Sequence, residues 1–125
     1  MICGIGTDLA SVERMAASLE RYGDRFAWRI LAESERAEFS RAVHPARFLA
    51  KRFAAKEAFG KALGTGIAAP ATLHGIRVVH DGAGKPGFDY GEVLAAHMNA
   101  ANLHAHLSIS DEEHYAIAFA VIERR

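Results

Sequence analysis

Arg52-Phe-Ala-Ala-Lys-Glu-Ala-Phe-Gly-Lys-Ala-Leu-Gly-Thr-Gly66 is built of good helix formers as far as Leu63 and then stops on glycine. Upstream, His44-Pro45 breaks the chain, and Pro45 suits the first turn of a helix. One long helix is predicted between these marks. At about 100° per residue, Phe48, Leu49, Phe53, Phe59 and Leu63 fall on one broad arc, the stripe of a helix packed on a core. Arg52 and Lys56 fall inside that arc, where a charge must snorkel to water or meet an opposite charge. Glu57 sits at its edge, and Lys61, four residues on, can reach the Glu57 carboxylate or share a ligand with it.

Two readings of these charges stand side by side. In the ordinary one, Glu57 and Lys61 form an exposed pair worth about 0.3–0.5 kcal/mol while Arg52 and Lys56 snorkel. In the other, the cations flank a bound polyanion and Glu57 helps to hold a divalent cation. Ala50, Ala54, Ala55, Ala58, Gly60 and Ala62 leave room for something to approach the backbone closely. Gly60 in a helix interior costs about 1 kcal/mol relative to alanine, which points to a packing or access reason.

Composition narrows the field around this helix. A chain of 125 residues, half of them hydrophobic and 24% charged, is expected to form one globular domain spanning 1–125. Fifteen Lys plus Arg balance fifteen Asp plus Glu, so the molecule as a whole has no electrostatic case for nucleic acid or a membrane surface. Locally the balance fails: between Arg41 and Lys61 six basic residues meet one acid, Glu57, which marks an anion site on a neutral protein. The single cysteine, Cys3, cannot form an internal disulfide and is expected as a small buried hydrophobe. No apolar run is long enough to span a bilayer and no secretory signal is read at the start, so a cytoplasmic location is expected.

Before the helix, Met1 to Leu9 reads as a strand carrying Asp8 near its end. Asp8 could cap the next helix, a job for which Ser11 is also available. Gly4 and Gly6 permit close backbone approach, so the strand end could equally be a ligand site. Ser11 to Tyr22 reads as a helix with Val12, Met15, Ala16 and Leu19 at helical spacing. Arg14, Arg21 and Arg25 lie nearby, a solvated face or a dock for an acidic helix. Asp24 to Leu31 reads as a short helix, and another starts at Ser34-Glu-Arg-Ala-Glu38.

After the helix, Gly64-Thr-Gly66 is a helix stop whose backbone N–H groups could also meet a phosphate oxygen. Leu73–His80 and Gly87–Tyr90 form a predicted hairpin around Asp81-Gly-Ala-Gly-Lys-Pro86, followed by a short helix from Glu92 to Asn102. Leu103–Ser110 and His114–Ile122 read as an antiparallel pair joined by Asp111-Glu-Glu113, with Tyr115, Ile117, Phe119 and Val121 on one face. The seven histidines are scattered without a zinc-ligand pattern. The fold class is therefore α+β, a small antiparallel sheet packed against a long central helix and shorter helices.

Three separated stretches, Gly4-Ile-Gly-Thr-Asp-Leu9, Arg52-Phe-Ala-Ala-Lys-Glu-Ala-Phe-Gly-Lys61 and His106-Leu-Ser-Ile-Ser110, resemble in order and spacing the holo-acyl-carrier-protein synthase family of 4′-phosphopantetheinyl transferases. The resemblance spans essentially the whole chain, and the central stretch is the most specific. It implies transfer of 4′-phosphopantetheine from coenzyme A to a serine of an apo acyl carrier protein, with Mg²⁺ and release of adenosine 3′,5′-bisphosphate, in support of fatty acid or polyketide synthesis. It further implies Asp8 and Glu57 as Mg²⁺ ligands and Lys61 on the pyrophosphate, these three forming the catalytic set. Arg52 and Lys56 would bind coenzyme A phosphates or order a neighbouring subunit's face, with Gly64 and Thr65 at the helix stop. His106 and Ser108 would lie near the nucleotide, bordered by the Lys85-Pro86 turn. Arg14, Arg21 and Arg25 would face the carrier protein, and the assembly would be a homotrimer with sites between subunits. In that arrangement one face of the central helix would pack on its own sheet and another on a neighbour. The acids Asp111-Glu-Glu113 depart from the family pattern and are expected to point away from the nucleotide, which weakens the case for Ser110. The same carboxylates would also serve a Mg²⁺-dependent coenzyme A or nucleotide pyrophosphatase, and a non-enzymatic module that only binds carrier proteins is the third possibility.

Overall fold

The computed structural model describes residues 1–125. In chain order the elements are β1 (Ile2–Ser11), α1 (Val12–Tyr22), α2 (Asp24–Ile30), a 3₁₀ turn (Glu33–Glu35) running into α3 (Arg36–Ser40), α4 (Pro45–Leu63), β2 (Ile76–His80), β3 (Pro86–Tyr90), α5 (Glu92–Ala100), β4 (Leu103–Asp111) and β5 (Tyr115–Arg124). The predicted α+β class holds. The strands form two sheets, a three-stranded antiparallel sheet in the order β1-β5-β4 and a separate β2-β3 hairpin.

α4 begins with Pro45 at its first turn and ends on Gly64 in the left-handed conformation, φ 89°, whose N–H returns to the carbonyls of Gly60 and Lys61. It lies across the three-stranded sheet on a layer of small side chains. Ala54, Ala55, Ala58 and Ala62 of the helix are buried, as are Ala116, Ala118 and Ala120 of β5. β1 meets the helix with Gly4 and Gly6, where an added Cβ would overlap the carbonyl oxygens of Ala62 and Ala58. The glycines near the strand end therefore serve close packing on the helix, and no ligand is needed to explain them. Gly60 has a packing reason of the same kind, since a Cβ there would lie 2.8 Å from the Gly66 carbonyl.

Because the alanine and glycine side of the sheet faces inward, the large side chains of β1 and β5 face outward. Ile5 and Leu9 are 61% exposed, Tyr115 50%, Ile117 45% and Phe119 44%. Tyr115, Ile117 and Phe119 do share one face as expected, but it is the uncovered one. Cys3 is likewise exposed, contrary to the burial expected of it. The buried residues of α4, from Leu49 round to Ala62, are covered within this chain, while Phe48, Phe53 and Leu63 stay partly open.

A buried ionic knot fixes α4 from its other side. The Glu35 carboxylate, 2% exposed, accepts hydrogen bonds from the Ala32 N–H (2.8 Å), the Val78 N–H (3.1 Å), Lys56 Nζ (2.6 Å) and an Arg52 guanidinium nitrogen (3.0 Å). Lys56 Nζ spends its remaining donors on the carbonyls of Ile30 and Leu73, both at 2.8 Å. Arg52 also reaches the Val78 carbonyl and Glu38. The knot thus joins α2, the 3₁₀ turn, α4 and β2.

Candidate active site

Ser11, not Asp8, caps α1: its hydroxyl accepts from the Arg14 N–H at 3.2 Å. Asp8 is freed for the helix-facing side of β1, where it meets Lys61, whose Nζ lies 3.1 Å from Asp8 Oδ1 and 2.9 Å from the Thr7 carbonyl. The close packing permitted by Gly4 and Gly6 is what brings strand and helix near enough for this bridge. Glu57 lies one turn before Lys61 on the same helix and is half-buried. The Glu57–Lys61 pair considered from spacing is replaced by the Asp8–Lys61 pair. Burial raises the Glu57 carboxyl's affinity for a proton, and the Asp8 charge raises it further against the opposing pull of Lys61.

Two carboxylates are therefore held within electrostatic reach of each other, with one ammonium bonded to Asp8 and acting on Glu57 as well. The half-exposed Lys61 leaves the group open on one side. Hard oxygen donors, few in number and beside an open face, suit Mg²⁺, which is bound by one or two carboxylates together with water and substrate phosphate oxygens. The excess negative charge that raises Glu57 is the charge such a cation would relieve.

Arg52 and Lys56 are not available to a phosphate. They are 3% and 0% exposed, and the ammonium of Lys56 has its three hydrogen bonds filled by protein oxygens. Burial drives the Lys56 ammonium toward its neutral form, and Glu35 pulls only partly the other way. The residue that explains both cations is Glu35, which sequence reading took for part of a helix start. The signal is the pair of charges on an apolar arc, which calls for water, a ligand or a buried acid. The backbone donors of Gly64 and Gly66 are also spent, on Gly60 and Lys61 carbonyls, and the Thr65 hydroxyl donates to the Gly66 carbonyl at 2.8 Å.

His106 and Ser108 lie on the opposite face of the sheet. The register pairs Ser108 with Phe119 and Thr7, and His106 with Val121 and Ile5, all on the outer face, whereas Asp8 pairs with Ala118 on the helix side. One chain does not bring them to Asp8 and Glu57. His106 instead contacts Glu123 at 3.4 Å. Pro86 lines a hollow of about 160 Å³ with Phe48, Lys51, Arg52, His80, Gly84, Ile109 and Asp111. Lys51 and His80 are site candidates that the sequence reading passed over. Asp111 faces this hollow and lies 3.8 Å from Arg47. Glu112 turns back on its own loop to cap the His114 and Tyr115 N–H groups.

Arg14, Arg21 and Arg25 are all exposed on α1 and α2. Arg21 and Arg25 line one hollow of about 510 Å³ with Tyr22, Phe26 and Arg29, adding a third cation to the pair. Arg14 opens instead on a neighbouring hollow with Leu9, Ser11, Glu13, Ala17 and Tyr115.

A sheet backed by a helix carrying a Lys-Glu-x-x-x-Lys run opposite a strand carboxylate defines a class of protein. Residues 4–120 match the model of the 4′-phosphopantetheinyl transferase superfamily, and the chain belongs to that family. Similar proteins within it share a narrower name. The holo-[acyl-carrier-protein] synthase of Azoarcus sp. (strain BH72) is 61% identical over 125 residues, the whole of both chains. The crystal structure of the holo-[acyl-carrier-protein] synthase from Neisseria meningitidis superposes with a TM-score of 0.95 at 46% identity, covering 99% of this chain and 100% of that one. The Bacillus anthracis synthase, solved in complex with CoA (3′,5′-ADP), gives a TM-score of 0.84 at 36% identity over 100% of this chain and 99% of that one.

Proposed function

We propose that this protein transfers 4′-phosphopantetheine from coenzyme A to a serine of an apo acyl carrier protein, releasing adenosine 3′,5′-bisphosphate, in the service of fatty acid or polyketide synthesis in the cytoplasm. The observation that carries the reading is the Asp8–Lys61 bridge beside Glu57, a carboxylate pair at an open rim. Full-length similarity to proteins named for this activity supports it.

Asp8 and Glu57 would hold Mg²⁺, which when bound would supply charge neutralisation on the diphosphate oxygens. Lys61 keeps Asp8 in place and adds a positive charge for the β-phosphate. The serine hydroxyl attacks the β-phosphorus in line with the departing adenosine bisphosphate. Asp8 and Glu57 orient the water that takes the serine proton.

The nucleotide end of coenzyme A takes its contacts from a neighbouring copy. Within one chain the Pro86 hollow opens beside Arg52, five residues from Glu57 and so on the order of 140° around α4. His106 and Ser108 sit across the sheet from the carboxylates. Association through the outer face carrying Ile5, Leu9, Ile117 and Phe119 covers the exposed apolar surface and sets these pieces against one another, consistent with a homotrimer. The Phe119→Asp variant is accordingly expected to sediment as a smaller species than the unmodified protein and to lose most turnover. A fully active monomer would remove the intersubunit site from the proposal.

Incubation with apo carrier protein, coenzyme A and Mg²⁺ should add the mass of phosphopantetheine to the carrier protein, read by intact mass spectrometry. Coenzyme A cleavage without any labelled acceptor would instead identify a pyrophosphatase, and no change in either would leave a carrier-binding module. Arg14→Glu with Arg21→Glu is expected to raise KM for the carrier protein more than KM for coenzyme A, and more so at low salt. An equal rise in both constants would remove these arginines from carrier recognition.

A further inference from the structure

Away from the carboxylate pair, a hollow of about 600 Å³ opens between the 3₁₀ turn and β2, lined by Ala32, Glu33, Ser34, Arg36, His74 and Arg77. Two guanidinium groups face it, and both are incompletely satisfied. Arg36 Nε and Arg77 Nε are shut off from water without any acceptor. Arg36 rests 4.8 Å from the centre of the Trp28 ring and forms no ion pair; Arg77 has only a loose contact to Asp89, 3.6 Å away and largely exposed. His74 is anchored at the rim by a 2.7 Å hydrogen bond between Nε2 and the Trp28 carbonyl.

The charge behind this hollow is also unbalanced. The wall it shares with the buried knot carries Arg52 and Lys56 against the single buried acid Glu35, and the Arg77 charge reaches Lys56. With Arg36 and Arg77 that makes four cations around one buried carboxylate; Glu38 is 48% exposed, Asp89 60% exposed, and Glu33 lies on the open rim. A buried guanidinium Nε without an acceptor is costly, and the outer nitrogens of the planar fork, which remain partly open, match a tetrahedral oxyanion.

We propose that the Arg36–Arg77 hollow is a binding site for a small phosphate-class oxyanion, either inorganic phosphate or the phosphate of a small monoester, separate from the catalytic carboxylates. The anion accepts from both guanidiniums, with the Ser34 hydroxyl and the free nitrogen of His74 at the rim. It ties the 3₁₀ turn to β2, the two segments that present Glu35 and its Val78 donor to α4. Occupancy therefore stabilises the fold around α4 without entering the reaction.

Trp28, the only tryptophan, lies against Arg36 and reports on the site. Inorganic phosphate would be titrated into the full-length protein at constant ionic strength against sodium chloride, following Trp28 fluorescence and the melting temperature, with isothermal calorimetry as a direct measure. A saturable signal is expected, with affinity about tenfold or more weaker in Arg77→Gln and in Arg36→Gln, judged by calorimetry because Arg36→Gln also alters the indole's surroundings. Both variants should keep basal transferase activity, and Lys61→Ala should keep the phosphate response. Adding a small phosphomonoester such as glycerol phosphate tells the two sources apart: tighter binding than phosphate assigns the rest of the hollow to an organic group, and equal binding assigns phosphate alone. A response no different from chloride, one that survives in the folded Arg36→Gln/Arg77→Gln double variant, or one lost in Lys61→Ala would overturn the proposal.

Discussion

The Glu35→Ala variant is expected to lose about 3–5 kcal/mol of stability, because it leaves Lys56 buried with no carboxylate and Arg52 with only the half-exposed Glu38. For a domain of this size that is a large part of the total, so the variant should populate unfolded or aggregated chain at ordinary temperatures. The effect comes from geometry: Lys56 is wholly buried and cannot move to water, and its two carbonyl partners carry no charge. Glu35→Leu combined with Lys56→Met should recover part of the loss, since it removes the stranded ammonium and leaves Arg52 on Glu38 and the Val78 carbonyl. Chemical denaturation of the three proteins checks this. If Glu35→Ala melted with the unmodified protein, the knot would not be what holds α4.

The same carboxylate carries a pH signature. Burial alone would raise its proton affinity, but the charge and hydrogen bond of Lys56 and the N–H groups of Ala32 and Val78 outweigh it and hold the carboxyl below the ordinary range. A carboxyl lowered on folding contributes stability that is present above its unfolded-state value and is lost as the pH falls through its folded-state value. The protein should therefore be acid-labile in that window, and the apolar double replacement should flatten the slope there.

Glu57→Gln is expected to cut turnover by about 10²–10⁴-fold while making the fold more stable. Glutamine keeps the shape but removes one of two mutually repelling charges, and with it the metal ligand proposed above. Asp8→Asn should lose activity similarly, but it also breaks the bridge to Lys61 and gains less stability. The sign follows from the raised carboxyl. A carboxyl raised on folding opposes folding when ionised, so the penalty is full above its folded-state value and fades as the pH falls toward the ordinary carboxylate range. The stability gain of Glu57→Gln should thus be largest at neutral pH and shrink in acid, while the Mg²⁺ requirement of the unmodified enzyme rises as acid protonates Glu57. Near-normal turnover of Glu57→Gln at saturating Mg²⁺ would remove Glu57 from the metal site.

The residues of the carboxylate pair were legible because their chemistry is local in one case and terminal in the other. Glu57 and Lys61 share a helix marked by Pro45 and Gly64, and Asp8 closes a strand whose glycines advertised a close approach. That the approach was to α4, and that Lys61 would choose Asp8 over Glu57, depends on where a strand fifty-three residues away in sequence comes to rest. Arg52 and Lys56 show the opposite case. Their place on an apolar arc was plain, but a charge there meets either a ligand or a counter-ion, and only the packing of the 3₁₀ turn against α4 chose Glu35.

By itself the sequence determined the α+β class, the long central helix and the hairpins, because these rest on periodicity, capping and turn residues that act within a few positions. Tertiary structure decided which face of the sheet was covered. A strand alternating Ala and large apolar residues can bury either side, and a helix studded with alanine packs closest on the small one. That choice turned Ile117 and Phe119 outward and put His106 and Ser108 across the sheet from Asp8.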